Sequence, residues 1–274
     1  MTINCKGELL DVSIPRVMGI INVNDDSFYA KSRKSSVDEI LQTAEKMLKE
    51  GADILDVGGQ SSRPGAERIS ANEELERVTP AIEALNAAFP KARISVDTFY
   101  AKVAESAADA GACIINDISA GSLDENMFET VAKLQLPYVL MHMQGTPSDM
   151  QKNPEYADVV QDVNFFFSQK LQVLRTLGLN DIILDPGFGF GKTVEHNYEL
   201  LRGMPLLGFG EYPILAGISR KSMVNKVLGV SATKALNGTT ALHMICLEKG
   251  ANILRVHDVK EAVEAVKIYL AAKA

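Results

Sequence analysis

The sequence is built from one repeating unit, a short and continuously apolar run followed by an amphipathic segment, which occurs eight times in 274 residues. The apolar runs are rich in β-branched side chains and cover residues 17–23, 54–57, 94–96, 114–116, 138–141, 182–184, 214–217 and 253–256. They lack the alternation of apolar and polar residues that is typical of a strand with one solvent-exposed face. Each run therefore predicts a strand that is buried on both faces.

Helical patterns separate these runs. They cover about residues 37–50, 72–89, 101–110, 127–134, 159–177, 194–201, 233–249 and 260–272. Buried strands joined by helices imply a parallel sheet with right-handed crossovers. Eight such units, in a chain close to the roughly 250 residues typical of the fold, predict an α/β protein with a (β/α)8 TIM barrel. We expect residues 1–274 to form a single domain.

The start of the chain bears on how the barrel is completed. Residues 3–15, with Lys6-Gly7 at their centre, predict a β-hairpin that closes the bottom of the barrel. An open dinucleotide-binding sheet is the structural alternative, and it requires a glycine fingerprint after the first strand. That strand instead runs into Asn22-Val23-Asn24-Asp25-Asp26. We therefore predict the closed barrel.

Charge and cysteine content exclude several kinds of partner. The net charge of −7 and the pI of about 5.2 argue against nucleic acid or an anionic membrane, because either would need a basic face. Cys5, Cys113 and Cys246 lie far apart without zinc-site spacing, which predicts reduced thiols in a cytoplasmic protein. The start of the chain has no apolar core of a signal peptide, and no apolar run is long enough to span a bilayer.

Polar residues occupy the carboxyl ends of the predicted strands, where barrel enzymes place their active sites. Those with carboxylate or amide side chains are Asn22, Asp56, Asp97, Asn116 and Asp185. Clustered carboxylates repel one another unless a ligand or a cation neutralises them. Two interpretations stay open: a metal cage, or a ligand whose edge offers several N–H donors to a carboxylate. A metal cage would usually add close His or Glu partners, which the pattern lacks.

Basic residues follow the last strands. Arg255 and His257 are two apart, so their side chains point to the same face, and Lys221 stands at a predicted helix start. Loops after the seventh and eighth strands often bind phosphate in such barrels, and Arg63 from the second loop can join them. The glycine-rich run at residues 185–192 lacks Walker spacing, but its glycines allow close approach to a flat ligand. We expect His142, His196 and His243 to be structural or surface residues.

Taken in order, these strand ends resemble the dihydropteroate synthase family over nearly the whole barrel. The matching segments are Met18-Gly19-Ile20-Ile21-Asn22-Val23, Asp26-Ser27-Phe28, Asp56-Val57-Gly58-Gly59, Ser62-Arg63-Pro64-Gly65, Ser95-Val96-Asp97-Thr98, Ile115-Asn116-Asp117-Ile118, residues 185–192, Ser219-Arg220-Lys221-Ser222 and Arg255-Val256-His257. The resemblance implies condensation of 7,8-dihydropterin-6-ylmethyl pyrophosphate with p-aminobenzoate to 7,8-dihydropteroate and pyrophosphate. It also implies a sulfonamide target site, a bound Mg²⁺ and a cytoplasmic homodimer formed through outer helices.

The resemblance further assigns roles to residues. The pterin would be bound by Asp97, Asn116, Ile118, Met141, Asp185, Phe190, Gly217 and Lys221. The pyrophosphate would be held by Asn22, Ser62, Arg63, Arg255 and His257, with Asn22 also near the Mg²⁺. The p-aminobenzoate pocket would be formed by Phe28, Ser62, Pro64, Phe190, Ser219 and Lys221. Dissociative C–O cleavage builds charge on the leaving group, so the residues expected to act in catalysis are Lys221, Arg255, His257 and Arg63.

The chain departs from the family pattern in its first two loops. Asn24-Asp25 replaces Thr-Pro, and Ala30 stands where the family usually has a carboxylate. Gln60-Ser61-Ser62 replaces Glu-Ser-Thr. These changes bear on loop closure, rate and inhibitor sensitivity more than on pterin binding.

Three other functions are compatible with parts of the pattern. A corrinoid-type methyltransferase shares the Asp/Asn grip on a pterin, but it has no need of a pyrophosphate site and works with a cobalamin domain. A Schiff-base aldolase would use Lys221, which borohydride trapping would reveal. A non-catalytic pterin-binding paralogue would explain the altered first loop, and it predicts pterin affinity without turnover.

Overall fold

The computed structural model describes residues 1–23, 33–60, 68–147, 149–150 and 152–273, with the backbone alone at 33–36. Its strands are β1 (Thr2–Cys5), β2 (Glu8–Asp11), β3 (Arg16–Asn22), β4 (Ile54–Gly58), β5 (Arg93–Asp97), β6 (Ile114–Asp117), β7 (Tyr138–Met141), β8 (Ile182–Asp185), β9 (Leu215–Ala216) and β10 (Ile253–Val256). Its helices are α1 (Arg33–Glu50), α2 (Ala71–Ala88), α3 (Ala101–Ala110), α4 (Met127–Leu134), α5 (Val159–Thr176), α6 (Val194–Gly203), α7 (Ser222–Leu228), α8 (Leu236–Glu248) and α9 (Val259–Lys273). Within these ranges, no helix is long and apolar enough to cross a membrane.

Strands β3 to β10 form one parallel sheet in the order β8-β7-β6-β5-β4-β3-β10-β9. A parallel bridge between Leu184 and Ile214 joins the two ends of this order, so the sheet closes into a barrel. The helices surround it, which confirms the predicted (β/α)8 TIM barrel. The seventh unit differs from the prediction, because α7 and a short 3₁₀ turn (Ala232–Lys234) precede α8. Gly229, in the left-handed conformation at φ 64°, ends α7 and explains the break.

The predicted hairpin is confirmed at the amino-terminal end of the barrel. Strands β1 and β2 pair antiparallel around Lys6 and Gly7, whose φ angles of 51° and 90° fit a two-residue hairpin turn. Apolar side chains of the hairpin and of the barrel interior pack into one buried cluster, made of Ile3, Cys5, Leu10, Val12, Met18, Ile54, Cys113, Ile114, Val139, Ile183, Leu215 and Ile253. The hairpin therefore seals the bottom of the barrel.

The pleat of the strands explains where the polar residues go. Outward-facing residues such as Leu55, Ile115 and Leu254 pack against the helices in the main core. Inward-facing residues alternate with them, so the interior position above each bottom residue lies two residues later in the sequence. This step leads from apolar to polar or small residues: Ile54 to Asp56, Ile114 to Asn116, Ile183 to Asp185, Leu215 to Gly217 and Ile253 to Arg255. A polar layer therefore lies directly above an apolar one.

Three of the helices begin at the barrel mouth with defined caps. Ser70 and Glu73 form a capping box at the start of α2, and Thr193 and His196 form one at α6. Asp158 caps α5 by accepting hydrogen bonds from two backbone N–H groups. These caps fix the carboxyl-terminal ends of three loops that border the mouth.

His243 on α8 makes the stability of the fold sensitive to acid. The imidazole is 1% exposed, and neither ring nitrogen has a hydrogen-bond partner in the described part of the chain. Burial lowers its pKa to about 4, so the unfolded chain binds this proton more readily than the folded chain does. The contribution of His243 to the free energy of unfolding is therefore complete at neutral pH and falls by about 3 kcal/mol as the pH drops from the unfolded pKa to the folded one.

We expect His243→Leu to reduce the loss of stability on acidification, because leucine has no proton to bind. Urea unfolding measured from neutral pH down to about pH 4 tests this difference. Met244→Leu, the next residue on α8, changes only apolar volume and is the control. An unchanged pH dependence in His243→Leu would show that the folded protein protonates this imidazole as readily as the unfolded chain does.

Candidate active site

The polar layer is organised around Arg255. Its Nε donates to Asp56 Oδ2 at 2.6 Å, and its Nη2 donates to Asp97 Oδ2 at 2.5 Å. Asn116 Nδ2 donates to the same Asp56 oxygen at 3.1 Å. The Arg255 side chain is 17% exposed and that of Asp56 is fully buried. The guanidinium therefore supplies the positive charge that the clustered carboxylates require.

Burial shifts the proton affinities of this layer. It raises the pKa of Asp97 to about 7, against the lowering effect of Arg255 and with further raising by Asp56. Burial also disfavours the charge on Arg255, but Asp56 and Asp97 outweigh it and raise the pKa of the guanidinium above its usual value. The Asp97 carboxyl can therefore accept or donate a hydrogen bond near neutral pH.

A second charged pair, Asp185 and Lys221, lies across the layer. Lys221 Nζ donates to the Phe188 carbonyl oxygen at 2.6 Å and lies 4.6 Å from the centre of the Phe190 ring. Asp185 Oδ1 accepts the Gly187 N–H at 2.7 Å. Burial lowers the pKa of Lys221 to about 8, and burial raises the pKa of Asp185. A cationic donor and a carboxylate acceptor therefore both face the backbone at Gly217.

Gly217 leaves open space between these two groups. A Cβ atom added there would lie 3.6 Å from Lys221 Nζ and 3.9 Å from Asp185 Oδ2. The glycine therefore keeps a slot between the ammonium and the carboxylate free of side-chain atoms.

An apolar wall stands above the polar layer. Its buried members are Phe99, Ile118, Met141, Met150 and Phe190. The family resemblance implied Ile118, Met141 and Phe190 as pterin-binding residues, and the structure brings these three together. Phe99 and Met150 were missed, although Phe99 follows directly on the strand-end pair Asp97-Thr98. The wall and the polar layer together form a pocket suited to a flat heterocycle with a polar edge.

The rim of the mouth carries the remaining predicted residues that the structure describes. His257 is exposed just beyond β10, and its Nδ1 lies 3.0 Å from Ser219 Oγ. Asn22 is exposed at the carboxyl end of β3. Arg220, from the same segment as Lys221, turns away from the mouth and binds both oxygens of Asp258, at 2.7 and 2.8 Å. Lys221 therefore faces the pocket interior, and His257 and Asn22 face its outer rim.

Gln60, one of the departures from the family pattern, has a partner that suits an amide. Its Nε2 donates to Glu74 Oε2 at 3.2 Å, and Thr98 Oγ1 donates to the same oxygen at 3.1 Å. Glu74 is fully buried, and burial raises its pKa to about 8. A glutamate at position 60 would bring a second carboxylate against this one. No sequence signal singles out Glu74, because acidic residues are common in the first turn of a helix such as α2.

Several predicted residues lie outside the described part of the chain. They are Phe28, Ser62, Arg63 and Pro64, together with the altered loop residues Asn24, Asp25 and Ala30. The three histidines expected to be structural have such settings. His142 is buried against Lys192, His196 caps α6, and His243 lies inside α8's packed face.

A parallel barrel whose mouth combines carboxylates, an amide and a half-buried lysine with an apolar wall defines an enzyme that binds a flat, nitrogen-rich ring. The family model described as pterin binding enzyme matches residues 18–257. The dihydropteroate synthase of Haemophilus influenzae is 44% identical over 273 residues, which cover 99% of this chain and 98% of that protein.

Solved structures give the same relationship. A Yersinia pestis dihydropteroate synthase in complex with a sulfonamide drug is 45% identical, covers 100% of this chain and 99% of its own, and has a TM-score of 0.93. A Xanthomonas albilineans dihydropteroate synthase with 4-aminobenzoic acid is 39% identical, covers 100% of this chain and 98% of its own, and has a TM-score of 0.91. The chain belongs to the dihydropteroate synthase family of pterin-binding enzymes, and it is accordingly a transferase.

Gly217 provides a test of the pocket that leaves the fold intact. We expect Gly217→Ala to fold normally, because the added methyl would meet its neighbours only at ordinary contact distances. The methyl would occupy the slot between Lys221 and Asp185, so affinity for a pterin should fall about 10- to 100-fold. Calorimetric titration with the pterin substrate, beside a thermal melting curve, measures both effects. Wild-type affinity in the folded variant would show that the ring does not enter this slot.

Proposed function

We propose that the chain condenses 7,8-dihydropterin-6-ylmethyl pyrophosphate with p-aminobenzoate, giving 7,8-dihydropteroate and pyrophosphate. The observation that carries this proposal is the pairing of a buried donor–acceptor layer with a flat apolar wall. Pterins present several ring nitrogens and a carbonyl along one edge, and they are flat. The family membership of the chain supports the same substrate.

The polar layer would form hydrogen bonds with the polar edge of the pterin ring. Asp97 and Asn116 from β5 and β6 and Asp185 from β8 would bind its N–H groups, since carboxylate and amide oxygens accept hydrogen bonds. Lys221 would donate to the pterin carbonyl or a ring nitrogen. Met141, Phe190 and Ile118 would cover the ring faces, with Gly217 keeping the slot open. Arg255 would hold Asp56 and Asp97 in position as acceptors.

The chemistry would proceed by dissociative cleavage. The C–O bond between the pterin methylene and the pyrophosphate breaks, and its electron pair leaves with the pyrophosphate. The aniline nitrogen of p-aminobenzoate then forms the new C–N bond and loses its proton to solvent or to the leaving group. His257 at the rim, with Arg255 and Arg63, would stabilise the charge on the pyrophosphate. No protein nucleophile is needed, because the electron-rich pterin carries the developing cation.

A magnesium ion fits this site as a companion of the pyrophosphate. Asn22 offers an exposed amide oxygen at the mouth, a hard ligand of the kind that Mg²⁺ takes. The described residues contain no cluster of three His, Cys, Asp or Glu side chains suited to a metal. Asn22 would therefore hold the ion together with the pyrophosphate. When bound, it would supply charge neutralisation to the leaving group.

The p-aminobenzoate would enter above the pterin. Ser219, Lys221 and Phe190 would border this side of the pocket, and Phe28, Ser62 and Pro64 of the first two loops would complete it. Sulfonamides have the shape of p-aminobenzoate, so we propose that they compete for the same place. The sulfonamide complex of the Yersinia pestis relative supports this expectation.

We also propose a homodimer formed through the outer helices. Helix α8 also has apolar residues on its exposed face, where Ala241 and Ile245 lie one turn apart. Val227 and Leu228 at the end of α7 are exposed next to it. Such a patch suits a self-complementary dimer contact. The single-domain organisation of residues 1–274 and the cytoplasmic location stay predictions from the sequence.

The test is pyrophosphate release from 7,8-dihydropterin-6-ylmethyl pyrophosphate with Mg²⁺, with and without p-aminobenzoate, while dihydropteroate is quantified. Release coupled to dihydropteroate formation supports the proposal. Release without condensation would locate the difference in the first two loops, where Ala30 replaces a carboxylate. Pterin binding without any release would overturn the reaction and leave a pterin-binding paralogue.

A further inference from the structure

Lys192 ends the glycine-rich segment and buries its ammonium group. The side chain is 3% exposed. Its Nζ lies 2.9 Å from His142 Nδ1, 3.0 Å from the Gly187 carbonyl oxygen and 3.1 Å from the Phe190 carbonyl oxygen. The His142 carbonyl oxygen is a fourth neighbour at 3.4 Å. We call these four acceptors the carbonyl cage.

The setting excludes the phosphate contact that a Gly-Lys pair suggests. All three protons of the ammonium are directed at acceptors of the chain itself. Burial lowers the pKa of Lys192 to about 7, with partial compensation by Asp185, so the amine is an ammonium ion below about pH 7 and the binding tests belong in that range. Burial likewise lowers the pKa of His142 to about 2, so the imidazole is neutral and its Nδ1 accepts the hydrogen bond.

The carbonyl cage joins two loops of the mouth. His142 directly follows β7, whereas Gly187 and Phe190 follow β8. The two backbones touch so closely that a Cβ atom at Gly187 would collide with the His142 carbonyl oxygen. At Gly191 it would collide with the Gln144 carbonyl oxygen. Carbonyl dipoles converging at such a contact repel one another unless a cation lies between them.

The same loops carry the pocket. Met141 immediately precedes His142, and Phe190 contributes both a cage carbonyl and a ring of the apolar wall. Gly187 gives its carbonyl to Lys192 and its N–H to Asp185. A shift of the cage would therefore move both the wall and the carboxylate.

We infer that Lys192 is a positioning residue for the pterin pocket, a built-in cation that sets the distance between the loops after β7 and β8. The inference rests on the proposed pterin substrate. It assigns Lys192 no contact with substrate, and it makes pterin affinity depend on an ammonium ion in the carbonyl cage.

The test removes the ammonium and then returns it. In Lys192→Ala we expect affinity for 7,8-dihydropterin-6-ylmethyl pyrophosphate to fall about 10- to 100-fold, because small displacements of binding groups are costly. The loss should appear in KM for this substrate more than in kcat. Propylammonium chloride, which can fill the emptied cage, should restore most of the affinity, and sodium chloride at equal ionic strength should not. Lys267→Met, an exposed lysine of α9, is the control.

Lys192→Met separates charge from volume. It fills the space without a charge, and it keeps the test available if the alanine variant does not fold. Weakened pterin binding in the folded methionine variant supports the inference. Wild-type affinity with only a lower melting temperature would overturn it, as would a defect in Lys192→Ala that propylammonium leaves unchanged. Failure of the wild-type protein to bind the pterin substrate would instead overturn the proposed function.

Discussion

Replacing Arg255 with methionine is expected to lower the free energy of unfolding by about 3–5 kcal/mol and to abolish pterin binding. The change leaves Asp56 and Asp97 without the guanidinium that contacts both of them at 2.6 and 2.5 Å. Two uncompensated carboxylates inside the barrel cost far more than a lost surface ion pair. Urea unfolding followed by circular dichroism at neutral pH measures the loss.

The pH dependence of the variant identifies the cause. Arg255 holds down the pKa of Asp97, which burial raises, so without the guanidinium this folded-state pKa rises further above that of the unfolded chain. The penalty is therefore present at neutral pH and is lost as the pH falls through the raised pKa of Asp97. Arg175→Met, which removes an exposed ion pair with Glu211, is the control and should cost less than about 1 kcal/mol. A loss in Arg255→Met that is equal at neutral and acidic pH would point to packing instead of charge.

Lys221→Met should lower kcat/KM for the pterin substrate by about 10²- to 10³-fold while the protein stays folded. Lys221 Nζ lies 4.6 Å from the centre of the Phe190 ring and interacts electrostatically with Asp185, and under the proposed function it is the cationic donor to the substrate. Lys226→Met changes an exposed lysine on α7, the helix that begins directly after Lys221, and is the control. Steady-state kinetics with each substrate varied in turn checks the result.

The charge on Lys221 also predicts an alkaline limit to activity. Burial lowers its pKa to about 8, so the ammonium is present below that pH and is lost above it. We expect kcat/KM to decline above about pH 8. Lys221→Arg keeps a charge that does not titrate in this range, so its lower activity should lack the alkaline decline. A decline at the same pH in Lys221→Arg would assign the titration to another group.

The fold was largely predictable because each strand and helix is indicated by the pattern of apolar residues within its own segment. Strands β7 and β10 and helices α3 and α4 begin and end at the predicted residues. The prediction was wrong at the start of α8, which it placed at residue 233, whereas the helix begins at Leu236 after a separate turn. The sequence signal for this break is the glycine at position 229, whose left-handed conformation ends α7.

The residues that make up the site were predictable from the sequence, but the ion pairs and hydrogen bonds between them were not. Inward-facing residues recur every second position along a strand, and this spacing alone places Asp56, Asn116 and Asp185 in one layer. The ion pairs of Arg255 join residues 199 and 158 positions apart, and no local pattern reports such a pairing. Lys192 was missed for a related reason. Its acceptors are mainly backbone carbonyls, whose positions depend on how two loops meet rather than on side-chain types.

The position of β10 in the sheet couples closure of the barrel to completion of the active site. β10 lies between β3 and β9, so the last strand of the chain joins its first barrel strand. Asn252, at the start of β10, also bonds to the Val12 carbonyl beside the hairpin. Without β10, the carboxylates of Asp56 and Asp97 would lack the guanidinium that contacts both of them. The same strand thus closes the barrel and completes the charge balance of the active site, and a chain that stops short of β10 would have neither.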